Sequence, residues 1–311
     1  MVDLDLPPGV PPFEIEAGNE LSTRRVALGK KLFYDINLSR DSSVSCGSCH
    51  NQAKAFADFS PRSAGVEGRI GKRNAPALFN LGWHQTLNRD GGTFTLETQM
   101  LVPFEDEFEM DIRVPEVVDR IRQDSEYPSL FAAAYPDRGV TAYTLTRAIG
   151  AFQRTLLSFN SPYDRYTYYG EEDALNPSQK RGMDLFFSER TQCGTCHSGF
   201  NFRRQTFENN GLYGKYADEG RKGVTFLEED AGKFSVPSLR NVQMTAPYMH
   251  DGSLWSLSEV IDHYAAGGEG HANQSPLVQG FAITDTEKID LINFLLALTD
   301  QSFLTNPDHA P

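Results

Sequence analysis

Cys46-Gly47-Ser48-Cys49-His50 and Cys193-Gly194-Thr195-Cys196-His197 together use all 4 cysteines of this 311-residue chain. C-x-x-C-H is the attachment signature of c-type haem: two thiols bond the porphyrin edge and the adjacent histidine reaches the iron. The chain has only 7 histidines, so one behind each pair is not a chance placement. A redox CxxC motif needs neither histidine, and structural zinc sites use other spacings. Two covalently bound c-type haems are predicted, and no cysteine remains for a disulfide.

Each signature sits in a similar setting. The apolar run Val26 to Phe33 precedes the first, and Gly182-Met183-Asp184-Leu185-Phe186-Phe187 precedes the second. After the first, Leu145, Ala148, Ile149, Phe152 and Leu156 follow the 3.6-residue period of a helix. After the second, Ile289, Ile292, Leu295 and Leu296 mark a closing helix behind the capping box Thr284-x-x-Glu287. Helix, haem signature, closing helix is the order of a small c-type cytochrome, where apolar helices shield the haem plate from water.

The chain therefore reads as an unequal internal duplication and as mainly α. Residues 1–160 form an N-terminal cytochrome c-like domain and residues 161–311 a C-terminal one, divided in the segment Ser161 to Pro177. About ninety residues separate His50 from the first closing helix, too many for a plain loop. This insert is expected to carry function, and within it Gly65 to Arg73 reads as surface loop.

Composition narrows the partners. Net charge is −13, which disfavours nucleic acid, and mean hydropathy is −0.44. No run approaches the roughly 18 unbroken apolar residues of a membrane helix. The first residues, MVDLDLPPGVPPFEIEAGNE, lack the basic-then-apolar order of a signal peptide. Covalent haem attachment usually happens outside the bacterial cytoplasm. A periplasmic or otherwise exported protein is expected, its leader removed and Met1 added.

Further motifs carry a family resemblance. The insert contains Arg73-Asn74-Ala75-Pro76-Ala77-Leu78-Phe79-Asn80, Asp90-Gly91-Gly92, Leu96-Glu97-Thr98-Gln99, Pro103 and Glu109-Met110. The second half contains Asn209-Asn210-Gly211-Leu212, Gly232 to Asn241 and Thr245-Ala246-Pro247-Tyr248-Met249-His250-Asp251-Gly252. In this order, with two CxxCH units, the sequence from about residue 26 to 299 resembles the bacterial di-haem cytochrome c peroxidase family, including its MauG-like branch.

The resemblance implies one haem for peroxide chemistry and one that relays or stores electrons, with hydrogen peroxide and a redox partner or substrate protein as reactants. It implies Glu109 as the general acid-base group over the N-terminal haem, with Gln99 and Pro103 lining the pocket. Read without it, Glu105, Asp106, Glu107, Glu109 and Asp111 are an acidic run of the kind usually found on solvated surface. The resemblance also implies a calcium ion between the domains, on the Asn74 side chain and the Thr245 and Pro247 carbonyls; hard oxygen donors suit calcium. Asn74 as a mere turn cap is the alternative.

Three departures from the family pattern matter. Val66 stands where conventional members carry a distal histidine, and no histidine occurs from residue 51 to 83. The N-terminal haem is therefore expected to be five-coordinate through His50, with His84 within possible reach but more often a packed or surface residue. Arg89 replaces the tryptophan that usually lies between the haems, and Trp83 is a substitute relay or a core residue. Arginine is no redox relay, but it pairs with propionates.

Counting from His250-Asp251-Gly252, the methionine that usually ligates the second haem becomes Tyr264. Ser256-Leu257-Ser258-Glu259 is a capping box, so a helix starts near Leu257 and stops at Gly267-Gly268. Leu257, Val260, Ile261 and Tyr264 share its inner face, with His263 on another. His263, Met244 and Met249 are the rival ligands to Tyr264. Tyrosine ligation marks the MauG-like branch, which oxidises protein side chains. A MauG-like enzyme, a conventional peroxidase fed by a small cytochrome or copper protein, and a plain electron carrier are the three readings, the last disfavoured because it needs two strong axial ligands on each haem.

Overall fold

The computed structural model describes residues 2–311. Helix α1 (Thr23–Tyr34) opens the first unit, its N-terminus capped by the Ser22 side chain. The first haem signature forms a single turn, α2 (Cys46–Cys49). The insert adds α3 (Leu96–Gln99), α4 (Leu101–Glu105), α5 (Val114–Gln123) and α6 (Tyr127–Ala134), and α7 (Ala142–Thr155) closes the unit. The second unit runs through α8 (Pro162–Tyr168), α9 (Pro177–Phe186) and α10 (Cys193–Cys196), the second signature. Then come β1 (Phe207–Glu208), α11 (Lys222–Thr225), β2 (Phe234–Ser235), α12 (Leu257–Ala266), α13 (Asp285–Leu296) and α14 (Gln301–Thr305). The strands pair antiparallel, Phe207 opposite Ser235. The molecule is mainly helical, two cytochrome c-like units with a long insert in the first.

The duplication is visible atom by atom. α1 crosses α7 at Gly29, where an added Cβ would lie 1.8 Å from the Ala148 carbonyl oxygen. α9 crosses α13 at Gly182, where the same atom would lie 1.9 Å from the Asp290 carbonyl oxygen. Only a residue without a side chain lets the backbones approach so closely. Four residues after each glycine a buried phenylalanine, Phe33 or Phe186, meets a counterpart on the closing helix, Phe152 at 5.3 Å or Phe294 at 5.2 Å between ring centroids. The next aromatic, Tyr34 or Phe187, lies over the glycine of the haem signature, Gly47 or Gly194.

α7 buries Leu145, Ala148, Ile149 and Phe152 as its periodicity predicts. α13 begins at the expected capping box, but its buried face is Asp290, Leu291, Phe294 and Leu295, while Ile289 is 57% exposed. The register follows Asp290, which accepts from Arg181 Nε at 2.7 Å and Ser178 Oγ at 2.5 Å and so draws its face of α13 onto α9.

Two expectations about boundaries change. The chain crosses the division at 160/161 a second time: Phe303 and Leu304 of α14 belong to the first hydrophobic core. Gln52 Nε2 donates to the carbonyls of Phe303 (3.2 Å) and Asn306 (2.8 Å), and Tyr34 Oη donates to that of His309 at 2.7 Å. The segment Gly65 to Arg73 is not a simple surface loop either. Val66 is fully buried, and Arg73 donates to Asp90 at 2.5 Å and to Asp218 of the second unit at 2.6 and 2.8 Å. Among the described residues no helix is long and apolar enough to cross a membrane.

Candidate active site

Both haem signatures open onto one cavity of about 1370 Å³, above the roughly 300–1,000 Å³ of a single small-molecule site. Its wall includes Cys46, Cys49, His50, Cys193, Cys196 and His197. All four cysteines are free of disulfides.

The two histidines are held alike. His50 Nδ1 lies 2.7 Å from the Phe56 carbonyl, and His197 Nδ1 lies 3.2 Å from that of Phe202 and 3.1 Å from that of Pro237. A carbonyl on Nδ1 fixes the tautomer that leaves Nε2 bare for a metal. Burial lowers both imidazole pKa values, His197 to about 4, which keeps the rings neutral. Phe56 and Phe202 turn their carbonyls back through left-handed backbone, φ 60° and 48°. Sequence reasoning missed this pair; the only trace is a phenylalanine five or six residues after each histidine. Free thiols, bare imidazole nitrogens and apolar walls from Phe33, Leu78, Leu96, Leu257, Ile261 and Leu291 suit two covalently held haems.

Gln99, Pro103 and Glu109 all line the first-unit side of the cavity. Glu109 follows α4 on a tight turn, its N–H donating to the Asp106 carbonyl at 3.0 Å and its own carbonyl accepting from Val66 N at 2.8 Å. The Val66 segment is therefore pressed against the acid, and Gly65 permits this: a Cβ there would sit 2.5 Å from the Glu109 carbonyl oxygen. Glu109 is exposed to the cavity, yet surrounding protein desolvates it and, with the Asp106 charge, pushes its carboxyl up to about 7. Asp106 of the same acidic run also lines the cavity, whereas Asp111 pairs with Arg40 at 2.7 Å and Arg69 at 3.0 Å.

On the second-unit side, α12 runs from its Ser256 capping box to a left-handed Gly267. Tyr264 lines the cavity together with Val260 and Ile261. Burial pushes its phenol up to about 12, against a hydrogen bond from Asn210, so a strong cation is needed to hold it as phenolate. The rivals separate. His263 Nε2 lies 3.0 Å from the Asn210 carbonyl, and Met244 packs on the first core. Met249 does line the cavity, its sulfur accepting from Asn210 Nδ2 at 3.2 Å.

Trp83 does not sit between the signatures. Its indole N–H donates to the Pro11 carbonyl at 2.8 Å, and its ring packs against Phe13, Phe159 and Phe200. His84 does line the cavity, with a buried Nε2 that has no partner; burial and Arg203 hold its pKa well below the ordinary range.

The family profile described as di-haem cytochrome c peroxidase matches residues 23–173. The methylamine utilization protein MauG of Methylorubrum extorquens is 36% identical over 90% of this chain and 79% of its own length. The chain belongs to the di-haem cytochrome c peroxidase family. The cytochrome c551 peroxidase of Pseudomonas aeruginosa is 35% identical over 78% of this chain and 72% of its own. The crystal structure of a MauG-like protein associated with microbial copper homeostasis superimposes with a TM-score of 0.94 at 38% identity, covering 100% of this chain and 99% of that one. As a di-haem oxidoreductase of this family the protein acts on hydrogen peroxide together with a redox partner or substrate.

The calcium that the resemblance implies would sit on Asn74, Thr245 and Pro247. Asn74, Thr245 and Pro247 do line one cavity, but Arg89 Nη2 donates to Asn74 Oδ1 at 2.6 Å and Arg89 Nε to the Asn74 carbonyl at 2.7 Å. A divalent ion on Asn74 Oδ1 would stand beside a guanidinium, a repulsion on the order of several kcal/mol at an effective dielectric of about 20. This donor set does not fit calcium.

Proposed function

We infer that the protein reacts with hydrogen peroxide at the haem of Cys46, Cys49 and His50, and stores the two oxidising equivalents across both haems for oxidation of a protein partner. The observation that carries this reading is Tyr264 on the inner face of α12, lining the same cavity as His197 while His263 is tied to Asn210. When bound, the haems supply the irons that cleave the O–O bond and hold the equivalents; a phenolate from Tyr264 is a hard anionic ligand that favours oxidised iron.

The chain's own groups do the rest. His50 and His197 are held by backbone carbonyls as proximal ligands. Glu109, with a carboxyl near neutrality, takes the proton from one peroxide oxygen and delivers it to the other, so that water leaves. Gln99 and Pro103 shape the pocket beside it. With Val66 in place of the usual histidine, no side chain of that loop has to leave the first haem before peroxide enters. Covalent haem supports a periplasmic setting.

A conventional peroxidase, reduced by a small cytochrome or copper protein, is favoured by one observation. Arg89 occupies the place of the bridging tryptophan, so fast sharing of oxidising equivalents between haems lacks its usual stepping stone. One equivalent of peroxide added to the fully oxidised protein separates the two. A rapid spectral change in both haems that persists without reductant supports storage. No reaction until one haem is reduced supports the conventional cycle and overturns the open first haem.

A further inference from the structure

The geometry points to Arg89 as a built-in replacement for the inter-domain calcium: its guanidinium is the cation of this site, tethered to the chain, and the protein neither needs nor holds the metal. Asn74 is 3% exposed, and its two oxygens, side chain and main chain, are both taken by Arg89 at 2.6 and 2.7 Å. These are the neutral, hard oxygens that a calcium ion uses, here gripped by two N–H donors of a planar fork.

Arg89 is not held there by a carboxylate. Among the described residues it makes no ion pair within 4.0 Å; nearby Asp90 is engaged by Arg73 at 2.5 Å, and Asp251 accepts from Tyr213 at 2.6 Å. A half-buried guanidinium that gives two N–H donors to one amide oxygen and one carbonyl, with no protein carboxylate beside it, stands where a cation on those two oxygens would stand. The main chain is fixed as well, for Ser235 N of the second unit donates to the Arg89 carbonyl at 2.7 Å. Arg89 thus spans the two units, its main chain bonded to one and its guanidinium to the other. Its other N–H groups have no protein acceptor among the described residues, and Arg89 lines the haem cavity. They are free for an anion such as a haem propionate.

The test is metal content of the holoprotein, which is independent of its peroxidase activity. After equilibration with calcium chloride and gel filtration, elemental analysis should find far less than one calcium per two haems, and a chelator should leave the visible spectrum and thermal midpoint unchanged. One retained calcium per chain, or a chelator-induced spectral change, overturns the proposal. Arg89→Ala should acquire calcium and gain thermal stability from it, whereas Arg89→Lys, which keeps the charge, should not. A folded Arg89→Ala protein with two haems and no calcium uptake overturns the proposal too. If that variant fails to fold, the wild-type stoichiometry decides.

Discussion

Arg240 and Asp164 meet fork to fork, Nη1 to Oδ2 and Nη2 to Oδ1 both at 2.8 Å, and neither residue has any exposed surface. The pair ties α8 to the loops of the second haem unit. Arg240 Nε donates to the Phe200 carbonyl at 2.8 Å, and Asp164 accepts from Ser161 Oγ at 2.7 Å. Removing one partner leaves a buried charge alone, at a cost of roughly 3–5 kcal/mol. Asp164→Ala should lower the denaturation midpoint of the holoprotein accordingly, while Asp164→Leu with Arg240→Met should cost less than the sum of the single changes. Additive losses in a double-mutant cycle would show that the pair does not act as a unit.

Gly182 is required by contact, not by flexibility. A Cβ there meets the Asp290 carbonyl oxygen at 1.9 Å, so Gly182→Ala must separate α9 from α13. Overpacking costs on the order of 1–3 kcal/mol, and the second haem should become more exposed. Gly223→Ala has nothing within 4 Å and should be silent. Equal melting temperatures for the two variants would contradict the crossing.

Much of this was legible in the sequence. The CxxCH pairs, the capping boxes at Ser256 and Thr284 and the periodicity of α7 are local signals, and local geometry realised them. What escaped depends on long-range partners. The face of α13 is decided by Arg181, about a hundred residues away, which draws Asp290 inward and leaves Ile289 outside. The return of α14 to the first core has no local signature at all. Arg89 was visible as a departure from the family pattern, but its bond to Asn74 needed coordinates.

Tyr264 carries a prediction about potential. Tyr264→Met replaces a hard anionic donor with a soft neutral one, and thioether ligation raises a haem potential. The midpoint of one haem should rise on the order of 0.1 V or more, within the ≈ 0.8 V that axial ligands span. The first haem should be unchanged. Identical redox titrations for variant and wild type would remove Tyr264 from the iron and leave Met249, the other candidate on the cavity wall, to be tested.

Glu109 sets the pH dependence. Burial and Asp106 raise its carboxyl to about 7, and the group must be ionised to accept the peroxide proton. The rate of reaction with peroxide should therefore climb with pH, level off above about 7, and fall by roughly 10²–10⁴ in Glu109→Gln. Stability runs the other way. A carboxyl raised from 4.5 to about 7 makes the folded state bind more protons than the unfolded one between those values, so linkage lowers stability as pH rises through that window. Glu109→Gln removes this group's contribution and should flatten the stability profile there. A rate that falls with rising pH across the same window, or a Gln variant as fast as wild type, would exclude Glu109 as the proton carrier.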